Sequence, residues 1–144
     1  MDAKTIVLIG AVSKYGILSD ATKAIAASGV RSPGFLLAFV TWISVLFSSF
    51  IDNVPYTILM IPVCQKLGEF SGMSAWPLLY GMIVGTGIGG NLTPVGATAN
   101  VFACGILEKQ GYKIRLGDYL KISLPFTVPA VGTAHLLLYF IWLR

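Results

Sequence analysis

The side chains best equipped for chemistry are Asp52 and Asn53, a carboxylate beside an amide between two apolar runs, and a later polar set of Asn91, Thr93, Thr98 and Asn100. An ionisable group at membrane depth costs roughly 2.5–3.5 kcal/mol even on a lenient insertion scale, so Asp52 there needs a compensating interaction. A bound cation supplies one, and a carboxylate can also take up a proton when desolvation raises its pKa. Alternatively the pair lies in an interfacial loop that leaves Asp52 in water. The later Asn and Thr side chains would supplement backbone ligands. Catalysis is not indicated: the chain has no H-E-x-x-H, no G-x-S-x-G and no paired aspartates on adjacent helices.

Residues 85–100 carry the later set and read G-T-G-I-G-G-N-L-T-P-V-G-A-T-A-N. Five glycines, one proline, three threonines and two asparagines in sixteen residues oppose one continuous helix, because each glycine costs about 1 kcal/mol and proline about 3. The apolar flanks at 76–84 and 101–107 reach only about 10–14 Å apiece, against a hydrocarbon core of about 30 Å. The pattern predicts a membrane helix over residues 76–108, broken at 85–100. Irregular backbone at that depth survives only inside protein or along a hydrated cavity, which makes the break a candidate binding site. Gly85, Gly87, Gly89 and Gly90 also predict close helix packing.

Asp52 and Asn53 lie in a second interruption. The apolar run at 35–50 stops at Ile51-Asp52-Asn53-Val54-Pro55 and resumes at 56–67, each arm being short for a crossing. Pro55 suits the first position of a helix, with Asn53 or Asp52 capping it. Elsewhere, residues 1–18 predict a partial scaffold helix and 19–34 an interfacial linker helix and turn. Residues 109–121 predict a basic loop, and 122–143 a full-length final helix kinked at Pro125, Pro129 and Gly132.

At 144 residues, with 56% hydrophobic and 11% charged and a mean hydropathy of +0.80, the chain lies far from the soluble norm of about 25% charged. The composition predicts an all-α integral membrane protein. The net charge of +4 comes from Lys and Arg in the joints between apolar runs, without interleaved aromatics. That arrangement indicates a lipid bilayer as partner and no nucleic acid. Cys64 and Cys104 sit in apolar runs without C-x-x-C or Cys/His spacing, so neither a disulfide framework nor zinc is indicated. His135 is expected to pack against a neighbouring helix or to relay a proton.

Two interrupted hydrophobic segments are the sequence sign of a secondary-transporter site. The stretches S-S-F-I-D-N-V-P-Y-T-I-L-M-I-P (48–62) and G-G-N-L-T-P-V-G-A-T-A-N-V (89–101) resemble the carboxy-terminal half of the ion transporter superfamily. The nearest likeness is to NhaD-type sodium/proton antiporters, arsenite/antimonite permeases and the melanosomal P protein, with divalent-anion/sodium symporters more distant. The resemblance implies one inverted-repeat half, with a re-entrant helical hairpin at 35–67 whose tip is at 51–55, and a discontinuous transmembrane helix facing that tip. The implied cation- and substrate-binding set is Ser49, Asp52, Asn53, Gly90, Asn91, Thr93, Gly96, Thr98 and Asn100, with sodium at Asp52, Asn53 and Thr93. No cofactor is implied beyond sodium or protons as the coupling ion. The solute is a small inorganic ion or anion, and the lack of Lys or Arg at the site argues against tight binding of a multiply charged one.

The superfamily has two inverted halves, so the chain is expected to be a fragment, a split-gene half or a half-sized relative that does not transport alone. Its expected partner is the missing half or a second copy. The alternative is a non-transporting membrane subunit or assembly partner of the same fold. The expected location is a bacterial-type plasma membrane with residues 109–121 cytoplasmic. With a re-entrant hairpin the basic residues divide evenly between the two sides, whereas a full crossing gives seven against three. Charge alone therefore favours a crossing, and the resemblance favours the hairpin.

Overall fold

The computed structural model describes residues 32–144, and among them every regular element is an α-helix: α1 Pro33–Ser48, α2 Asn53–Ser71, α3 Trp76–Gly89, α4 Thr98–Lys109 and α5 Leu116–Trp142. The scaffold helix expected at 1–18 and most of the linker expected at 19–34 lie outside the described residues. Local chemistry sets several helix ends. Pro33 opens α1, where a missing N–H costs nothing. Gly72 stops α2 with a φ of 70°, a conformation cheap for glycine, and the turn closes as the Met73 N–H donates to the Gly68 carbonyl at 3.0 Å.

α3 is the central element. It buries Pro77, Leu78, Gly81, Met82, Gly85, Thr86 and Gly89 and packs most extensively on α1, then on α5 and α2. Gly81, Gly85 and Gly89 recur every fourth residue and so share one stripe of the helix. α1 lies against that stripe. A Cβ on Gly89 would stand 2.6 Å from Val45 Cα, one on Gly81 would stand 2.9 Å from Leu37 Cδ1, and one on Gly85 would overlap the Thr41 carbonyl. Two backbones approach this closely only where side chains are absent. Beside the seam, Leu36, Leu37 and Val40 of α1 meet Leu78 and Met82 of α3 and Tyr56, Val63, Cys64 and Leu67 of α2 in one core.

This packing shortens the expected break. Residues 85–89 and 98–100 are helical, leaving 90–97 irregular. Glycine's local cost of about 1 kcal/mol is offset by contacts that only a missing Cβ permits. Gly87, part of the expected packing run, faces open space, whereas Gly81, outside that run, lies in the seam. The loop expected at 109–121 is also shorter, because α5 starts at Leu116. Asp118 in its first turn suits the helix dipole, and Lys121 Nζ lies 2.9 Å from its carboxylate. α5 runs unbroken through Pro125 and Pro129. Among the described residues it is the one helix long and apolar enough to cross a membrane, while α1 is a shorter apolar helix.

Candidate functional site

The end of α1 and the segment after α3 bring backbone carbonyls together. A Cβ on Gly96 would lie 2.6 Å from the Gly90 carbonyl oxygen, 2.8 Å from that of Ser49 and 3.1 Å from that of Ser48. Three oxygens thus converge on a residue that has room for no side chain. The last carbonyls of a helix lack intrahelical partners and carry partial negative charge, so the cluster is suited to a positive one.

Side chains fix these oxygens in place. Buried Thr93 donates its hydroxyl to the Ser49 carbonyl. Ser48, fully buried, places its hydroxyl against Asn53 Oδ1 and 2.7 Å from the Thr86 carbonyl, and its single proton serves one acceptor at a time. Asn100 Nδ2 donates to the Gly90 carbonyl at 2.9 Å and to the Thr93 carbonyl at 3.1 Å. One turn earlier on α1, Ser44 donates to the Val40 carbonyl at 2.6 Å and so accepts from the Tyr56 hydroxyl at 3.1 Å, tying α1 to α2. From α5, Ser123 donates to the Leu92 carbonyl at 2.8 Å.

Six of the nine expected site residues belong to this cluster: Ser49, Asn53, Gly90, Thr93, Gly96 and Asn100. Asp52, Asn91 and Thr98 are exposed, and their side chains make no hydrogen bond among the described residues. Asn91 instead lines a cleft of about 460 Å³ with Tyr119, Ile122, Ser123 and Phe126. The expected cap of α2 is also different. Pro55 is the third residue of the helix, and Asp52 stands at the cap position without a side-chain cap bond, while the amide of Asn53 is engaged by Ser48. Because the first helical N–H groups have no intrahelical acceptor, Pro55 is tolerated there all the same.

Ser48, Thr86, Ser44 and Tyr56 were missed by the sequence reading. The available signal was the spacing of four between Ser44 and Ser48, which places both on one face of α1. The donor set is carbonyl, hydroxyl and amide oxygen, the class that suits a hard cation. Among the described residues no group of three His, Cys, Asp or Glu gathers as it would for a transition metal.

Residues 4–144 match the family model described as citrate transporter. The chain is 40% identical over 105 residues to the P protein of Homo sapiens, covering 70% of this chain and 12% of that protein. It is 30% identical over 153 residues to an uncharacterized transporter of Synechocystis sp., covering 95% of this chain and 34% of the relative. A similar relation, 29% over 146 residues with coverages of 96% and 32%, links it to an uncharacterized transporter of Mycobacterium tuberculosis. No solved structure matches the chain. The chain spans about a third of the length of these bacterial relatives. The resemblance carried by residues 48–62 and 89–101 thus extends over nearly the whole chain, which belongs to the citrate transporter family of the ion transporter superfamily, a family of integral membrane transporters.

Proposed function

We propose that this chain is the ion-binding half of a secondary active transporter that moves a small inorganic ion or anion coupled to a cation. α1 and α2 are the arms of a re-entrant hairpin, and α3 with α4 is a discontinuous transmembrane helix whose break faces the hairpin tip. The observation that carries the proposal is the convergence of the Ser48, Ser49 and Gly90 carbonyls on Gly96. Neutral oxygens of this kind replace a cation's hydration shell but do not titrate near neutral pH, so the cluster favours sodium over a proton as coupling ion. Asp52 raises the local cation concentration from the exposed tip. The N–H groups that open α2 and α4 have no side-chain cap, and such groups suit the negative end of a solute. Citrate is the solute in the family's description, and because among the described residues no Lys or Arg lies at the site to pair a multiply charged anion, its uptake is to be compared with that of a singly charged one. Residues 109–121 face the cytoplasm of a bacterial-type plasma membrane.

The experiment is solute uptake into vesicles carrying the assembled transporter under an imposed sodium gradient. Uptake should collapse with the gradient, and Asn53→Ala and Asp52→Asn should each lower it while leaving membrane insertion intact. Uptake indifferent to sodium discards the coupling. The alternative is a non-transporting membrane subunit or assembly partner of the same fold. Stable co-purification with another polypeptide, without flux, decides for it.

A further inference from the structure

We infer that Asn100 is a positioning residue, whose side-chain amide acts as a double donor that aims the carbonyls of Gly90 and Thr93 and so holds α4 to the end of α3. This rests on the cation site proposed above and gives one of its members a positioning role beside the ligation expected of it. Its Nδ2 carries two hydrogens, and both have an acceptor, the Gly90 carbonyl at 2.9 Å and the Thr93 carbonyl at 3.1 Å. An amide nitrogen offers a cation no lone pair, so these two N–H groups serve to aim the carbonyls they meet, while Oδ1 makes no hydrogen bond among the described residues. The Gly90 oxygen keeps a second lone pair, and it belongs to the cluster with Ser48 and Ser49 around Gly96.

The rest of the segment shows why this clamp matters. Its backbone hydrogen bonds are short-range turns, with Asn91 N–H donating to Ile88, Leu92 to Gly89, Gly96 to Thr93, and Asn100 and Val101 to Ala97. Among the described residues no backbone bond links α4 to α3. α4 buries no residue and packs on no other described helix. Asn100, the third residue of α4, reaches back to Gly90, which caps the C-terminus of α3. One side chain therefore spans the break.

The test uses the chain in lipid nanodiscs with two readouts. Gly90-Asn91 is the single Gly-Asn pair in the sequence, so labelling glycine with carbonyl ¹³C and asparagine with ¹⁵N isolates one NMR signal, that of the Gly90 carbonyl. The second readout is binding of ²²Na⁺. Asn100→Ala removes the donors, Asn100→Asp keeps an oxygen but loses both N–H groups, and Asn100→Gln keeps both. The expected result is a shifted Gly90 carbonyl and about tenfold weaker ²²Na⁺ binding for Ala and Asp, with Gln within about threefold of the native chain. Asp binding sodium as tightly as the native chain, or a Gly90 signal unmoved in Asn100→Ala, overturns the inference. A Gly90 signal that answers to Asn100 in a chain that binds no ²²Na⁺ supports the clamp and discards the cation site.

Discussion

α3 and α4 flank the same irregular segment and are built in opposite ways. α3 buries Gly81, Gly85 and Gly89 against α1 together with Leu78, Met82 and Thr86, whereas α4 buries nothing and leaves Val101, Phe102, Ile106 and Leu107 exposed. In water those apolar side chains would force packing. In a bilayer they face lipid tails as apolar as themselves, so shape and hydrogen bonds decide which helices associate. α3 has the shape, a groove that fits a backbone. α4 has a hydrogen-bonding side chain at its start. α1 and α3 thus form a tightly seated pair, to which α4 is attached near its N-terminal end.

Substitutions at glycine test the division most strongly. Gly85→Ala should cost about 1–3 kcal/mol by overpacking, because its Cβ would overlap the Thr41 carbonyl. Gly105→Ala on α4, with nothing within 4 Å of its Cβ, should be neutral or stabilise by up to about 1 kcal/mol through helix propensity. Unfolding in mixed micelles by denaturing detergent measures both, and equal losses would erase the distinction. Ser48→Ala comes next. It strips the buried hydroxyl shared by Asn53 and the Thr86 carbonyl, at a cost of about 1–2 kcal/mol in the same titration. Tyr56→Phe should cost about 1 kcal/mol, the worth of one buried hydrogen bond to Ser44. Thr127→Val should have the smallest effect. Its hydroxyl is fully enclosed without a partner among the described residues, so an isosteric methyl should change stability by less than about 0.5 kcal/mol or raise it. A loss above about 1 kcal/mol would mean that the hydroxyl has a partner.

Much of this arrangement was legible in the sequence where local chemistry decides it. Pro94, Thr93 and Gly90 interrupt a helix by their own propensities, and Asp52-Asn53-Val54-Pro55 marks the junction between α1 and α2 for the same reason. Residues 85–89 are helical against their own propensities, because propensity counts a glycine's cost in isolation and the offset comes from α1, which lies elsewhere in the chain. The period of four at Gly81, Gly85 and Gly89 was present, but the denser run at Gly85, Gly87, Gly89 and Gly90 obscured it. Ser48 and Thr86 become partners only across a helix crossing, so neither residue announces the other. Asn100 is marked by its type, but an amide offers both an oxygen and two N–H groups, and only geometry shows that the N–H pair reaches Gly90 and Thr93. α5 starts at Leu116, six residues before the apolar run at 122, because Lys121 and Asp118, which look like loop charges in sequence, are neighbours three residues apart on a helix.

If the carbonyls around Gly96 bind the coupling cation, as proposed, sodium-dependent uptake should respond to Gly96→Ala and not to its companion Gly87→Ala. A methyl at 96 would stand 2.6–3.1 Å from the three carbonyl oxygens, whereas one at 87 meets nothing within 4 Å. The expected result is a half-saturating sodium concentration at least about tenfold higher for Gly96→Ala, a loss of about 1.4 kcal/mol or more in binding, with Gly87→Ala unchanged and both variants inserted in the membrane. Sodium dependence in Gly96→Ala equal to that of the native chain would contradict the account and move the cation elsewhere.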